Sequence, residues 1–247
     1  MRVLILGGTA EARALAALLA DAGRYVVSSL AGRVARPRLP VGEVRIGGFG
    51  GPGGLAEFLR SASITHLVDA THPFATTMTR HAVEAAAATG VPLVRFARPG
   101  WRSHPHADRW HWAASYDDAR AIAEGLGRRP FLTTGRQTLP YFRDAWADRT
   151  VVVRVVEPLE TPPPAAWQVL LARGPYAVDA EVALMREHRV DVLLTKDSGG
   201  GYTAAKLEAA ARLDVPVVVV ARPALPSGAH EVASLDGVSA WLDTERT

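Results

Sequence analysis

The sequence predicts an α/β protein of two domains with mainly parallel sheets. Short apolar runs alternate with alanine-rich stretches of helical period along the 247 residues, as in chains built from successive βα units. Turns rich in glycine or hydroxyl groups follow several of these runs. The alternation stops between Ala97 and Ala114, so we place a boundary there, with domains at 1–97 and 98–247. Both domains fit a Rossmann-like or flavodoxin-like fold, and we expect a ligand-binding cleft between them.

Strands and helices alternate through the first domain. Runs rich in valine, leucine and isoleucine predict strands at Arg2–Leu6, Tyr25–Ser29, Val44–Ile46, Thr65–Asp69 and Pro92–Phe96. Alanine- and leucine-rich stretches predict helices over Ala10–Ala22, from the glycine-rich loop Gly47–Gly54 to about Ala62, and over Phe74–Thr89. Gly23 directly after the first helix is typical of a C-terminal cap.

The same alternation resumes in the second domain. The predicted strands are Pro130–Thr134, Thr150–Val155, Gln168–Arg173, Val190–Thr195 and Val215–Ala221. The predicted helices are Tyr116–Leu126, Gln137–Ala145, Tyr176–His188, Ala204–Leu213 and Gly237–Leu242. The segment 101–112 carries three histidines and three tryptophans without apolar period. An inter-domain linker or a lid is the favoured interpretation, because no pair of histidines four apart on a helix indicates a metal site.

The composition excludes several classes of function. There is no cysteine, and the formal charge of +3 is not gathered in a basic tract, so we expect no thiolate chemistry and no nucleic-acid partner. Val215–Ala221 is among the longest apolar runs, far below the ~20 residues that span a bilayer. We therefore expect a cytoplasmic protein without membrane or metal partners. The sequence leaves both a monomer and a homodimer open.

The opening stretch predicts a nucleotide-phosphate site. A strand ends at Leu6, Gly7 and Gly8 form a turn, and a helix follows Thr9. The N-terminus of a helix offers unpaired N–H groups and a positive dipole end, and glycine lets a phosphate approach the backbone. We predict cofactor contacts from these three turn residues and from the two that begin the helix, Ala10 and Glu11. Because the turn is not G-x-G-x-x-G, an ordinary strand-to-helix turn remains the alternative.

The end of the second predicted strand indicates the kind of dinucleotide. NAD-binding domains carry Asp or Glu there to hold the ribose 2′-hydroxyl, whereas Arg accommodates the 2′-phosphate of NADP. Here Ser28 and Ser29 are followed by Arg33. These residues favour NADP.

Polar side chains also follow the strand that ends at Asp69. The string Asp69-Ala-Thr-His72 would lie at the carboxyl edge of a parallel sheet, where ligands bind. Thr71 and Pro73 are explained by a capped helix start alone. Because that explanation does not cover Asp69 and His72, we predict that this turn lines the site.

Two strand ends of the second domain carry comparable groups. Thr133-Thr-Gly-Arg136 follows one strand, and Thr195-Lys-Asp-Ser-Gly-Gly-Gly-Tyr-Thr-Ala-Ala-Lys206 follows another. The second string predicts an anion-binding loop, with a surface turn as the alternative. It also contains Tyr202 four residues before Lys206, the spacing of short-chain dehydrogenases. That match is a coincidence in our interpretation, because the glycine pattern of those enzymes is missing from the N-terminal turn.

Taken together, these strings are similar to those of the precorrin-6A reductase family of cobalamin biosynthesis. The strings that carry the resemblance run the length of the chain: Gly7-Gly-Thr9 with Glu11 and Arg13, Ser29-x-Ala-Gly-Arg33, Asp69-Ala-Thr-His-Pro-Phe-Ala75, Arg95 with Arg98-Pro99, Thr134-Gly-Arg136, Thr195-Lys-x-Ser-Gly199 with Lys206, and Val217–Arg222 with Pro223. Ala12 departs from the glycine that the family often has. The resemblance implies NADPH-dependent saturation of one double bond in a methylated tetrapyrrole, with or without cobalt.

The resemblance also suggests roles within that reaction. Arg136, Ser198, Gly199 and Lys206 would bind the several carboxylates of the macrocycle. Lys196 and His72 are candidate proton donors, with Asp69 orienting a donor, and Thr71 would contact NADPH. Two rival hypotheses stay open: another NADP-dependent oxidoreductase of short-chain type acting on a carbonyl, and a non-catalytic protein that binds NADP or a corrinoid.

Overall fold

The computed structural model describes residues 1–32, 37–226 and 228–244 and divides into two compact units. The first unit contains Met1–Arg98 together with the chain from Pro223 onward, and the second contains Pro99–Arg222. Each unit carries one six-stranded sheet. Within the described ranges, no helix is long and apolar enough to cross a membrane.

The first unit alternates strands and helices as its sequence predicts. Its strands are β1 Arg2–Leu6, β2 Tyr25–Leu30, β3 Glu43–Ile46, β4 His66–Asp69, β5 Leu93–Phe96 and, late in the chain, β12 His230–Val232. Its helices are α1 Ala10–Asp21, α2 Pro52–Ser61, α3 Thr76–Thr89 and α8 Leu235–Thr244. Apart from the bounds of a few ends, the elements up to β5 are those expected.

The first sheet has the order β3-β2-β1-β4-β5-β12, and all of its described pairings are parallel. Apolar residues of α1 and α8 pack on one face, including Leu15 and Leu242, and those of α2 and α3 on the other, including Leu55 and Ala82. The order reverses between β1 and β4. In parallel sheets such a switch point leaves a crevice at the carboxyl ends of the two strands, where ligands bind.

The last strand and helix differ from the predicted domain assignment, which placed 98–247 together. β12 pairs in parallel with β5, so that His230 lies opposite Val94, and Val238 of α8 is buried in the core beside α1. The sequence did not predict β12, because its three residues are exposed or half-buried and two of them are polar. The chain therefore completes the first sheet only after it has formed the second unit.

The second unit contains the remaining elements. Its strands are β6 His111–Ala113, β7 Pro130–Leu132, β8 Val151–Val155, β9 Trp167–Leu171, β10 Val192–Lys196 and β11 Val217–Val220. Its helices are α4 Tyr116–Leu126, α5 Pro140–Arg143, α6 Val178–Glu187 and α7 Ala205–Arg212. The helix predicted over Gln137–Ala145 is instead a 3₁₀ turn, Arg136–Thr138, followed by the four-residue α5. Pro140 begins α5 because proline lacks the N–H that a helix interior requires.

The second sheet repeats the strand order of the first. Its order β9-β8-β7-β10-β11-β6 is parallel throughout the described pairings and reverses between β7 and β10. The edge position that β12 takes in the first sheet belongs here to β6. The segment 101–112 was predicted as a linker or lid, but Trp101, Ala107 and Trp110 are buried in the core of this unit.

Candidate active site

The turn after β1 lies at the switch point of the first sheet. Gly8 has φ +109°, a conformation that costs little only in glycine. The Thr9 hydroxyl accepts a hydrogen bond from the N–H of Ala12, 3.0 Å away, and so caps α1. The same hydroxyl donates to the carbonyl of Ala70, 3.1 Å away, beyond β4. Thr9 therefore joins the two strand ends, and its side chain is already occupied by the fold.

The first turn of α1 fits a phosphate. The first N–H groups of a helix have no partner within the helix. The Thr9 hydroxyl takes that of Ala12, which leaves those of Ala10 and Glu11 directed toward an outside acceptor. Glu11 would repel a phosphate, but its carboxylate forms an ion pair with the guanidinium of Arg98 at 2.8 Å. Arg98 therefore offsets the one acidic group in this turn.

Asp69, at the end of β4, is fully buried and bonded through both carboxylate oxygens. Oδ1 accepts hydrogen bonds from the N–H and the hydroxyl of Thr71, at 3.0 and 2.6 Å. Oδ2 accepts from the hydroxyl of Thr79 at 2.7 Å and from the guanidinium of Arg95. Arg95 is also buried. Because a paired, saturated carboxylate cannot take part in proton transfer without breaking the pair, Asp69 is placed to hold the turn in shape.

Thr71 and His72 follow Asp69 and are half-buried. Both bonds that Thr71 donates end on Asp69, so its hydroxyl can only accept from a cofactor. The Nδ1 atom of His72 accepts a hydrogen bond from the N–H of Phe74 at 3.2 Å. This contact ties the imidazole of His72 to its own turn.

The residues predicted to contact the 2′-phosphate lie at the end of β2. Ser28 and Ser29 are 2% and 6% exposed, and the Ser28 hydroxyl is buried without a hydrogen-bond partner among the described residues. These side chains are too buried to reach a ligand at the surface of the sheet. Arg33 lies outside the described residues. Arg45 of β3, opposite Ser29 in the sheet, is the described guanidinium at this edge, and it binds the carbonyls of Gly47 and Gly48 at 2.6 and 2.7 Å.

The second switch point brings the predicted turns of β7 and β10 together. The N–H of Thr133 donates to the carbonyl of Leu194 at 2.9 Å. Gly135 has φ +96°, and a Cβ placed on it would lie 3.7 Å from Nζ of Lys196. Thr134 is buried and accepts from the hydroxyl of Thr138 at 2.7 Å. Lys196 and Gly135 therefore occupy one site, as expected from their strand ends.

Two cations border this second switch point. Burial lowers the pKa of Lys196 from 10.5 to about 8, so that the amine remains mostly protonated at neutral pH. Arg136 donates to the carbonyl of Pro158 at 3.1 Å and pairs with the exposed Glu160 at 3.4 Å. An exposed ion pair contributes little free energy, about 0–1 kcal/mol. Arg136 can therefore exchange that partner for a ligand carboxylate.

Lys206, predicted to bind substrate, is instead buried. It is 3% exposed, and its Nζ donates to the carbonyl of Thr203 at 2.6 Å. Burial, with a contribution from nearby Arg154, lowers its pKa from 10.5 to about 7. The structure therefore corrects the prediction, because an amine enclosed in the core cannot contact substrate. Ser198 and Gly199, of the same string, do lie in the loop after β10.

The short-chain dehydrogenase spacing does not produce the geometry of those enzymes. Tyr202 precedes α7, and its hydroxyl donates to the carbonyl of Gly174 at 2.6 Å. The Lys206 amine is bonded elsewhere. The histidines of 101–112 include His104 and His106, whose ring centroids lie 5.6 Å apart with the rings tilted. Among the described residues, no group of three or more His, Asp or Glu could hold a metal.

The strand order and the two switch-point turns define the class of this protein, a Rossmann-like α/β protein with two units. A sequence profile of the precorrin-6x reductase CbiJ/CobK family matches residues 2–243. The precorrin-6A reductase of Rhodococcus erythropolis is 53% identical over 244 residues, which cover 98% of each chain. The cobalt-precorrin-6A reductase of Salmonella typhimurium is 31% identical, over 90% of this chain and 87% of that protein.

A solved structure of the same kind agrees over the whole chain. The structure described as CobK precorrin-6A reductase has a TM-score of 0.90 and 39% identity, and the match covers 100% of this chain and 98% of that one. The chain belongs to the precorrin-6x reductase family. It is therefore a reductase of cobalamin biosynthesis, and the family suggests a nicotinamide cofactor.

Sequence reasoning left several residues of the two switch points without a role. Arg95 and Arg98 belong to the strings that carry the family resemblance, yet only the structure shows that they neutralise Asp69 and Glu11. Asp197 and Trp101 were not proposed as site residues, although the N–H of Trp101 donates to Oδ1 of Asp197 at 2.9 Å. The sequence signal that could have indicated Asp197 is its position between Lys196 and Ser198, two residues predicted to belong to the site.

Proposed function

We propose that this protein reduces one double bond of precorrin-6A, or of its cobalt form, to the precorrin-6B oxidation level, with NADPH as reductant. The observation that carries the proposal is the end-to-end family match, which includes both switch-point turns. The reduction requires one hydride and one proton per double bond. The bound cofactor supplies the hydride, and the chain must position both reactants and deliver the proton.

The first unit is the proposed cofactor domain. Gly7, Gly8 and the N–H groups of Ala10 and Glu11 would hold the pyrophosphate at the N-terminus of α1. Thr9 contributes its backbone, because its hydroxyl is bonded within the fold. Asp69 acts as a positioning residue that fixes Thr71, which can accept a hydrogen bond from the cofactor.

We base the preference for NADPH over NADH on an arginine that follows β2 in the sequence and on one that lies in β3. No acidic side chain stands at the end of β2, where Ser28 and Ser29 are found, so nothing there repels a 2′-phosphate. Arg33 is our candidate for the phosphate contact. Arg45 supports it from the neighbouring strand.

The second unit is the proposed substrate domain. Lys196, Arg136 and the loop residues Ser198 and Gly199 are suited to carboxylates of a tetrapyrrole, because two carry positive charge and two lie at the carboxyl end of β10. Lys196 is also the preferred proton donor. Its pKa of about 8 lies near neutral pH, where general acids are most effective, whereas the Nδ1 atom of His72 is bonded within its own turn.

Anaerobic turnover tests the proposal directly. The protein is mixed with NADPH and precorrin-6A or cobalt-precorrin-6A, and NADPH absorbance is followed together with the macrocycle spectrum. We expect NADPH oxidation that depends on one of the macrocycles. NADPH binding without oxidation would instead support the non-catalytic hypothesis, and oxidation driven only by carbonyl compounds would support the short-chain one.

A separate variant tests the assignment of NADPH as the cofactor. Arg33→Ala should raise the KM for NADPH about 10-fold or more, while the KM for NADH changes little, because an arginine–phosphate contact is worth about 1.5–3 kcal/mol. Arg60→Ala, which changes an exposed arginine in the last turn of α2, is the matched control. Equal effects of Arg33→Ala on both cofactors would remove Arg33 from the 2′-phosphate site.

A further inference from the structure

The loop after β10 contains a sequence that would be flexible in isolation. Gly199, Gly200 and Gly201 follow one another, and the first two have φ +66°. Each ordered glycine loses more conformational entropy than any other residue. We call residues 197–203 the β10–α7 loop. Its described contacts show what holds it in one conformation.

Both the N–H and the carbonyl of Gly200 form hydrogen bonds with the segment that opens the second unit. Its N–H donates to the carbonyl of Pro99 at 3.3 Å, and its carbonyl accepts from Nε1 of Trp101 at 3.0 Å. Trp101 itself is 4% exposed. Because both hydrogen bonds are made by backbone groups of Gly200, they restrain the conformation of the loop itself.

Asp197 ties the start of the loop to the same segment and to the last residue of the unit. The carboxylate is buried and accepts from the N–H of Trp101 at 2.9 Å. The Nε of Arg222 donates to the carbonyl of Asp197 at 3.1 Å and lies 3.5 Å from its Oδ2. A Cβ on Gly199 would lie 2.1 Å from a guanidinium nitrogen of Arg222. The close packing there explains why this position is glycine.

Lys206 holds the other end of the loop. Its amine donates to the carbonyl of Thr203 at 2.6 Å and lies 4.8 Å from the centre of the Trp101 ring. The hydroxyls of Ser198 and Thr203 are 3.2 Å apart, which closes the loop across its own ends. Trp101 thus contacts both the middle of the loop and the lysine that anchors its end.

We propose that Trp101, Asp197 and Lys206 are positioning residues that hold the β10–α7 loop in the conformation that binds the carboxylates of the substrate. The inference rests on the proposed function, because it deepens the role given there to Ser198 and Gly199. The three side chains do not touch substrate. They lower the entropy that the loop would otherwise lose on binding, so their loss weakens substrate binding and leaves cofactor binding unchanged.

Trp101→Phe tests the central contact. The variant removes the indole N–H that bonds Gly200 and keeps an aromatic ring beside Lys206. Loss of one hydrogen bond of about 1 kcal/mol corresponds to about 5-fold. We expect the amides of 198–203 to exchange hydrogen about 5-fold faster, and the KM for precorrin-6A to rise by a similar factor. The KM for NADPH and kcat should stay within about 2-fold of wild type.

Trp112→Phe is the matched control. It also removes a bonded indole N–H, which donates to the carbonyl of Ala107 at 3.1 Å, but it leaves the β10–α7 loop intact. A second pair separates charge from bonding. Asp197→Ala should reproduce the effect of Trp101→Phe, whereas Asp197→Asn should restore most of the wild-type KM, because the amide oxygen still accepts from Trp101.

The two readouts separate this inference from the proposed function. Unchanged loop exchange in Trp101→Phe, or faster exchange with an unchanged KM for precorrin-6A, would overturn the inference while wild-type turnover still supported the reductase. An equal effect of Trp112→Phe would overturn it as well. If wild-type protein fails to oxidise NADPH with either macrocycle, the proposed function fails whatever the loop exchange shows.

Discussion

The two switch points share a strand order but differ in what they offer a ligand. β1 is followed by a glycine turn and the twelve-residue helix α1, whereas β7 is followed by a 3₁₀ turn and the four-residue α5. The neighbouring strand ends on Asp69 in the first unit and on Lys196 in the second. Gly8 and Gly135 have similar φ values, +109° and +96°. Both turns therefore contain a glycine of positive φ, but the elements and charged groups around them differ.

The difference shows two ways to bind an anion on one fold. In the first unit the charge comes from helix N–H groups, and the acidic side chains there are neutralised by Arg95 and Arg98. In the second unit no long helix begins at the turn, and charge comes from Lys196 and Arg136. Backbone N–H groups suit a pyrophosphate of fixed shape, while separate cationic side chains suit carboxylates spread around a ring.

The largest expected effect is a change in stability, which should differ between the residue that ends β4 and the residue that ends β10. Asp69→Ala leaves the buried guanidinium of Arg95 without its carboxylate, so we expect the free energy of unfolding to fall by about 3–5 kcal/mol. Lys196→Met removes an amine that burial disfavours in its charged form. At pH 7 its unfolding free energy should stay within about 1 kcal/mol of wild type or rise.

Urea denaturation followed by circular dichroism measures both variants. A double variant that replaces Asp69 and Arg95 together by apolar residues is the control, because it removes the uncompensated charge and should recover part of the loss. If Lys196→Met destabilises the protein as much as Asp69→Ala does, the expected difference between the two residues is wrong, since Lys196 would then stabilise the fold as well.

The second prediction exchanges the two turn glycines for alanine. An alanine at φ near +100° costs about 1–3 kcal/mol, and no heavy atom lies within 4 Å of a Cβ on Gly8. Gly8→Ala should therefore fold and raise the KM for NADPH about 10- to 100-fold, with little change for precorrin-6A. Gly135→Ala should show the reverse pattern.

Steady-state kinetics with each reactant varied in turn provides the measurement. Gly48→Ala is the control, because that glycine has no positive φ and a Cβ there would meet no heavy atom within 4 Å. If both turn variants impair the same reactant, the assignment of one ligand to each unit is wrong.

Most elements could be predicted because each has a strong local pattern. β1 is apolar from Val3 to Leu6, and Tyr116–Leu126 follows a capping serine, Ser115. Both elements, Arg2–Leu6 and Tyr116–Leu126, were predicted with the observed bounds. β6 and β12 were missed because each is short and lacks an apolar run, and their partners lie far away in the chain. Strand pairing at such distances leaves no local periodicity.

The grouping of polar strand ends could be predicted in outline because the carboxyl ends of parallel strands meet at one edge of a sheet. The structure follows that rule where Gly135 lies near Lys196 and where Thr9 bonds Ala70. The rule could not tell exposed from buried polar groups, so Ser28 and Lys206 were given ligands although they lie in the interior. Burial depends on which side chains cover a residue, and those come from other elements.

The smallest predicted effect is a pH dependence that belongs to the second switch point. Burial lowers the pKa of Lys196 from 10.5 to about 8, so the amine is charged below that pH and loses its proton as the pH rises through it. If Lys196 binds a carboxylate or donates the proton, kcat/KM for precorrin-6A should be level below about pH 8 and fall up to about 10-fold per unit above it.

Lys196→Arg shows whether this fall belongs to Lys196. Arginine keeps its charge throughout this range. If Lys196 serves only to bind carboxylate, the Lys196→Arg variant should lose the fall above pH 8 while keeping much of its activity. If Lys196 must donate the proton, the Lys196→Arg variant should instead lose activity at every pH, because a guanidinium is too weak an acid. A fall near pH 8 that persists in Lys196→Arg with activity near wild type would assign the titration to another group, and the cationic character of the second switch point would then rest on Arg136.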